Sequence, residues 1–291
     1  MSFLKRNRFV SRIGRSSNIR AGLWLKCHGC KQVVYHKDVQ ENQMVCTLCG
    51  YHYKIKASQR IDYIVDPGSF QETHANLRAA NPLGFEIAEL DYSYNAKIEE
   101  GRRKSGLNEA IITGFATLEN IRTVIGAMEF RFCGASMGSV VGEKFCRAAD
   151  DAVRERIPLV MICSSGGARM QEGILALMQM AKTADAVHAM NDAGVPYIPI
   201  LVDPTSGGVY ASFAGLGDIT IAEPGAYIGF AGKRLIEGAL KVKLPDDFQT
   251  AEYQYQNGFV DIISPRTELR PLLGRLLRYL SPQERLAAAE A

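Results

Sequence analysis

Three times in succession between residues 123 and 214, an apolar run of strand length ends in a glycine-containing loop that opens a helical pattern. "TVIGAMEFRF" leads through "CGASMGS" into "EKFCRAADDAVRER", "PLVMIC" through "SSGGARM" into "QEGILALMQMAKTADAVHAM", and "PYIPILVD" into "PTSGGVYASFA". Strands separated by helices pair in parallel, because the chain must cross back over the sheet before the next strand can start. The repeat therefore predicts an α/β body with a largely parallel sheet and reactive groups gathered at the carboxyl ends of its strands. In front of it, "EAIITGFATLENIRTVIGAMEF" reads as a hairpin turning at Glu119-Asn120, and "ASQRIDYIVD" as a connecting helix. Short strands in "DITIAE" and "AYIGFAG", then helices in "KRLIEGAL" and "TAEYQYQNG", follow it.

Two of the loops carry glycine pairs, Gly166-Gly167 and Gly207-Gly208. Without a Cβ the backbone can come close to a ligand, and the first amides of the next helix are unpaired donors at the positive end of the helix dipole. Each pair is a candidate anion site, for a phosphate or for an oxyanion formed during reaction. A tight turn with no ligand is the alternative for either pair.

The front of the chain has a different logic. Cys27 and Cys30, then Cys46 and Cys49, form two Cys-x-x-Cys knuckles separated by fifteen residues. Each knuckle offers two thiolates from one bend, and together they make the tetrahedral four-sulfur set that zinc prefers. The β-prone runs "KQVVYH" and "QMVC" between the knuckles predict a hairpin closing a zinc ribbon. Four protein ligands leave no open coordination position, so the ion is structural, supplying stability that so small a core lacks. Two disulfides are the alternative, disfavoured where nothing indicates secretion. His28 and His52 are expected at the surface, and Cys133, Cys146 and Cys163 in the core.

The 291 residues are 47% apolar and 22% charged, which fits a globular chain and excludes a disordered or fibrous one. No apolar run is long enough to cross a bilayer. The opening "MSFLKRNRFVSRIGRSSNIR" lacks the apolar segment of a secretory signal, so a bacterial cytoplasmic setting is expected, with the plastid stroma as the alternative. Residues 1–60 hold twelve Lys/Arg against two Asp/Glu, a charge of +10, whereas the remainder holds 22 against 29, or −7. A basic front attracts nucleic acid or a phosphate-bearing ligand, or is a solvated tail. The expected organisation is a basic tail over 1–22, a zinc ribbon over 23–57 and one body over 58–291.

"GASMGSVVGEKF", "SGGARMQEG", "DPTSGGVYASFA" and "EPGAYIGFAG", in that order behind a four-cysteine ribbon, resemble the carboxyltransferase β subunits of multisubunit acetyl-CoA carboxylases. The likeness runs from about residue 22 to residue 280. It implies a crotonase-like (ClpP/crotonase) spiral of ββα units, consistent with the repeat above. It also implies a reaction in which acetyl-CoA loses a methyl proton and the enolate takes the carboxyl group from carboxybiotin, giving malonyl-CoA for fatty acid synthesis. By resemblance Gly207 and Gly208 are the oxyanion-hole amides, while Gly166, Gly167 and Arg169 shape the coenzyme A side of the cleft. Lys233 and Arg234 are candidates for the coenzyme A phosphates. The chain has no Met-Lys-Met biotin attachment context and no Walker-type loop. The resemblance therefore implies biotin on a separate biotin carboxyl carrier protein, a separate biotin carboxylase, and an α subunit completing the site in an α2β2 heterotetramer.

Two other functions compete. "GASMG" satisfies the Gly-x-Ser-x-Gly nucleophile elbow, making Ser136 a candidate hydrolase serine. Its histidine should come late in the chain, yet the last one is His188, which reads as a packed helix residue. The second rival is nucleic-acid binding through the basic ribbon, with Trp24, Tyr35, Tyr51 and Tyr53 as stacking platforms.

Overall fold

A computed structural model describes residues 23–280, so the basic tail at 1–22 lies outside the described residues. The chain divides into two compact units, Met1–Tyr51 and His52–Ala291. The division falls six residues before the expected boundary because residues 52–57 are bonded into the body. Arg266 Nη1 donates to the Tyr53 carbonyl at 3.1 Å, and the Ala57 N–H donates to Glu129 Oε2 at 3.0 Å. His52, expected at the surface, is buried with Nδ1 3.3 Å from Glu223 Oε2. Among the described residues no helix is long and apolar enough to cross a membrane.

In the first unit, β1 (Trp24–Lys26) pairs antiparallel with β2 (Val33–Tyr35), and α1 (His36–Glu41) follows directly. The hairpin thus closes across the first knuckle rather than between the two. The segment after β2 is helical because Val39 alone faces the core while "HKD" and "QE" face out. Gln43 and Met44 then take positive φ, which a strand does not allow.

The body opens with α2 (Ala57–Ile64), β3 (Gln71–Thr73), the short pair β4 (Glu86–Ile87) and β5 (Tyr92–Ser93), and α3 (Tyr94–Ser105). The hairpin follows as β6 (Ile111–Leu118) and β7 (Ile121–Met128). Glu119 and Asn120 both have left-handed φ, 49° and 66°, the geometry that lets a two-residue turn match strand twist. The repeats are α4 (Ser139–Glu155), β8 (Leu159–Ser165), α5 (Gly173–Asp192), β9 (Tyr197–Ser206) and the single turn α6 (Gly207–Tyr210). After them come β10 (Ile221–Ala222), β11 (Ile228–Gly229), α7 (Lys233–Leu240), α8 (Ala251–Gln256), β12 (Ile262–Ile263) and α9 (Arg266–Leu280).

The main sheet has the order β12-β10-β9-β8-β7-β6-β3, parallel from β12 to β7 and antiparallel at β6 and β3. β11 pairs with the far end of β9, Gly229 beside Ser206, so β9 has different neighbours at its two ends. Both faces are covered. Val124, Leu159 and Met161 pack with Val141, Phe145, Ala148 and Ala152 of α4, while Ile125, Val160 and Ile162 pack with Ile61 and Ile64 of α2 and Leu269, Leu273 and Leu277 of α9. Burial on both sides is why these strands read as unbroken apolar runs rather than alternating ones.

Asp66 locks the hairpin to the helix layer. Its carboxylate accepts the Thr117 hydroxyl at 2.6 Å, the N–H groups of Glu119 and Asn120 at 3.1 and 3.0 Å, and Arg270 Nη2 at 2.6 Å. The Thr117 bond, aided by Asn120 and Arg270 and opposed by burial, holds its pKa at about 2, below the ordinary 3.8. A depressed folded-state pKa stabilises above the unfolded value and loses that contribution as pH falls through the folded one. Asp66→Asn is expected to cost roughly 1 kcal/mol at pH 7, reduced from the full linkage value because the group is partly solvated. In urea titrations the gap from the parent should narrow as pH drops from about 4 towards 2; a pH-independent gap would contradict this account.

Candidate active site

The loops after β7, β8 and β9 meet at one end of the sheet because their strands are parallel neighbours. The first two are zippered: Gly166 N–H donates to Gly134 O at 2.9 Å, Met137 N–H to Gly167 O at 2.8 Å, and Arg169 N–H to Met137 O at 2.9 Å. The Ser165 hydroxyl donates to Ala135 O at 2.7 Å and accepts the Gly167 N–H at 2.9 Å. Cys133, Gly134 and Ala135 all have positive φ, a cramped path that brings the Gly134 and Ala135 carbonyls round to the β8 loop.

Gly167 (φ 114°) and Gly207 (φ 61°) then fit face to face. A Cβ on Gly207 would lie 2.7 Å from the Gly167 Cα, closer than any side chain tolerates. This contact carries the β9 loop up to the β8 loop. It also sets the start of α6, whose first-turn N–H groups, Gly207 and Gly208 included, have no intrahelical acceptor. Gly207 is half-buried, and Gly208 is buried beside Met180 of α5.

The two glycine pairs therefore differ. Both amides of Gly166 and Gly167 are used within the protein, so this pair is corrected from an anion cradle to the surface on which Gly207 seats. The Gly207-Gly208 pair instead opens α6, where first-turn N–H groups have no acceptor within the helix.

Arg169 does not face the coenzyme A side of the cleft either. Its guanidinium is fully buried, and all five N–H donors are engaged: Nε to Ser136 Oγ, Nη1 to Glu109 Oε2 and Tyr94 Oη, Nη2 to Glu109 Oε1 and Ser136 O. Nothing remains for a coenzyme A phosphate. Burial by itself would lower its pKa, but the Glu109 carboxylate outweighs that and raises it. Lys233 Nζ, partly exposed, donates to the Pro245 carbonyl and lies 3.7 Å from Asp246, holding the start of α7 to the following loop. Arg234 is the next residue of α7, and its side chain lies outside the described residues.

Ser136 is not an elbow nucleophile. Its backbone is relaxed (φ −65°, ψ 139°), and its hydroxyl donates to Cys133 O at 2.9 Å and accepts from Arg169 Nε at 3.1 Å. His188 is 72% exposed on α5 near Asp192 rather than packed, and His74 bonds Asp151 at 3.0 Å. Of the proposed stacking rings, Tyr53 is buried, whereas Trp24 is half exposed with Tyr35 edge-on at 5.3 Å. Cys146 and Cys163 are buried as expected, Cys133 only in part.

The four ribbon cysteines form one cluster, with all Sγ atoms within 4.8 Å of each other and those of Cys27 and Cys49 at 3.7 Å. A tetrahedron with zinc–sulfur bonds of about 2.3 Å has sulfurs roughly 3.8 Å apart, so the set fits the ion. Two matching turns build it. Cys27 N–H bonds Gln32 O and Lys31 N–H bonds Cys27 O, and likewise Cys46 N–H bonds Tyr51 O and Gly50 N–H bonds Cys46 O. Lys31 and Gly50 hold the left-handed position in each turn. These cysteines would hold the ion as a closed structural site.

A largely parallel sheet with interlocked glycine loops at one end, in a chain that also carries a four-cysteine ribbon, is an α/β body of the kind known from crotonase-like enzymes. Solved structures share the fold. The chain aligns with the transcarboxylase 12S hexamer crystal structure with TM-score 0.65 and 22% identity, over 83% of this chain and 43% of that one. It aligns with a Pseudomonas malonate decarboxylase hetero-tetramer with TM-score 0.60 and 21% identity, over 78% and 83%. Residues 54–270 match the carboxyl transferase domain family and residues 24–49 the acetyl-CoA carboxylase zinc finger domain. The acetyl-coenzyme A carboxylase carboxyl transferase subunit beta of Synechococcus sp. (strain CC9311) is 47% identical over 98% of this chain and 97% of its own. That of Synechococcus elongatus (strain ATCC 33912 / PCC 7942 / FACHB-805) is 50% identical over 91% and 86%. The chain belongs to this family of acetyl-CoA carboxylase carboxyltransferase β subunits.

Glu109, Tyr94 and Glu172, which surround Arg169, were not legible as a group. They stand 60, 75 and 3 residues from it, and no linear spacing joins them.

Proposed function

We propose that this chain supplies the acyl-coenzyme A half of a carboxyltransferase site, moving the carboxyl group of carboxybiotin onto acetyl-CoA to give malonyl-CoA. The observation that carries the reading is the glycine-only contact between Gly167 and Gly207, which sets the first turn of α6, whose amides have no acceptor within the helix, at the carboxyl end of the sheet. When the acetyl methyl group loses its proton, charge builds on the thioester oxygen, and each well-aimed amide lowers that barrier by a few kcal/mol. Carboxybiotin, when bound, would supply the carboxyl carbon for the new C–C bond as its bond to the ureido nitrogen breaks, and the freed nitrogen would accept the methyl proton. No side-chain base of this chain is required. The start of α7, with Lys233 and Arg234, is the proposed contact for the coenzyme A phosphates.

The other half of the cleft belongs to an α subunit, in an α2β2 assembly served by a biotin carboxyl carrier protein and a biotin carboxylase. A row of bare apolar side chains beside the site supports this: Met170 (84% exposed), then Ile174 (61%), Leu177 (55%) and Met178 (55%) along α5. Contiguous exposed apolar surface of this kind marks an interaction face. The bacterial cytosol is the proposed compartment.

Co-expression with a matching α subunit tests the proposal. Malonyl-CoA-dependent carboxylation of biocytin should require both chains; full activity of the β chain alone, or none from the pair, would refute it.

A further inference from the structure

We infer that Arg169 is a positioning residue for carboxyl transfer, acting through the two glycine loops rather than on substrate. The inference rests on the reading of Gly207 and Gly208 as oxyanion donors.

The Glu109–Arg169 pair lies beneath the loops, with both side chains fully buried and two bonds of 2.7 and 3.0 Å. The partners of Arg169 come from four separated segments. Tyr94 opens α3, Glu109 precedes β6, Ser136 lies in the β7 loop, and Glu172 follows the β8 loop. Glu172 in turn accepts the Tyr94 hydroxyl at 2.7 Å and the Ser139 N–H at the start of α4 at 2.6 Å. A Cβ on Gly138 would lie 2.4 Å from Glu172 Oε1, so the carboxylate occupies the place of a side chain there.

A buried ion pair contributes little net stability relative to apolar packing of the same volume, because desolvation consumes most of the attraction. Stability alone is thus a poor account of this cluster. What a guanidinium supplies is direction: a rigid planar fork with five donors at fixed angles. Here the fork grips Ser136 at both its carbonyl and its hydroxyl, 2.6 and 3.1 Å away, and fixes the β7 loop. The zipper of Gly134, Met137, Gly167 and Arg169 passes that position to the β8 loop, and the Gly167–Gly207 contact passes it to the first turn of α6. Every link is hydrogen-bonded or in van der Waals contact, so a shift of the guanidinium moves the amides.

The test uses the full chain assembled with its α subunit, comparing Arg169→Lys, Glu109→Gln and Tyr94→Phe with the parent. Steady-state carboxyl transfer from malonyl-CoA to biocytin is read beside zinc content and the thermal midpoint. Arg169→Lys should lower kcat about 100-fold, the loss expected from misplacing a reacting group by roughly 1 Å, with KM for malonyl-CoA within about threefold. Glu109→Gln should lower kcat in the same direction, and Tyr94→Phe less. Where Arg169→Lys does not fold, Glu109→Gln and Tyr94→Phe decide by the same split. Folded variants with kcat within threefold of the parent overturn the inference, as does a loss confined to KM. If Gly207→Ala is inactive while Arg169→Lys is fully active, only this inference fails; if Gly207→Ala is itself fully active, the oxyanion reading fails.

Discussion

Gly207→Ala is expected to lower kcat for carboxyl transfer by at least about 100-fold, because two effects add and neither can relax cheaply. Alanine at φ 61° costs about 1 kcal/mol of backbone strain. The larger effect is contact: the new Cβ would lie 2.7 Å from the Gly167 Cα, a backbone atom that cannot rotate away as a side-chain tip would. The β8 and β9 loops must part, and with them the amides of α6 leave their positions. Gly225→Ala is the matched control. Its φ is 67°, but no atom lies within 4 Å of the added carbon, so it should show the strain without the rate loss. Equal rates for both variants in the α-subunit complex would show that the Gly167–Gly207 contact does not orient the reacting groups.

Removing the metal should have the largest effect on stability, and it should be local. Among its described residues the ribbon buries only Val34, Val39 and Val45 besides Cys27 and Cys46, and three buried valines contribute on the order of 5–9 kcal/mol before any chain entropy is counted. Ordering about thirty residues costs more than that. Zinc binding to comparable finger peptides is worth roughly 10–16 kcal/mol, and for such a unit that binding free energy is folding free energy. Cys46→Ser, at a buried ligand, should therefore abolish the one equivalent of zinc measured by elemental analysis. It should expose Lys31 and Lys37 to trypsin, while a fragment beginning near residue 52 survives on its own two-faced core. A ribbon that stays protease-resistant without zinc would mean that its fold does not depend on the ion.

The elements were legible wherever one local signal dominated. The β6–β7 hairpin was readable at Glu119-Asn120 because a two-residue turn between strands leaves few geometries. The strand–glycine–helix repeats were readable because strands covered on both faces show continuous apolar runs. The ribbon hairpin is not legible in its true position because three-residue strands such as Trp24–Lys26 carry almost no periodicity, and a six-residue helix lies in a polar stretch. Sequence alone points to Arg169 as a ligand contact because an arginine beside a glycine loop usually faces solvent. Its burial depended on Glu109, which no sequence spacing ties to it.

What the amino-acid sequence determined by itself is chemistry set by neighbours along the chain: the four thiolates, the alternation of strand and helix, and the glycines that leave room at the strand ends. What only the tertiary structure decided is which donors are spent and which are kept. The Gly166 and Gly167 amides are consumed by Gly134 and Ser165, the Arg169 fork is filled by Glu109, Ser136 and Tyr94, and the first turn at Gly207-Gly208 has no acceptor within its own helix. The physical reason is that a hydrogen-bond donor has meaning only with its acceptor, and these acceptors come from segments that the fold, not the order of residues, brings together.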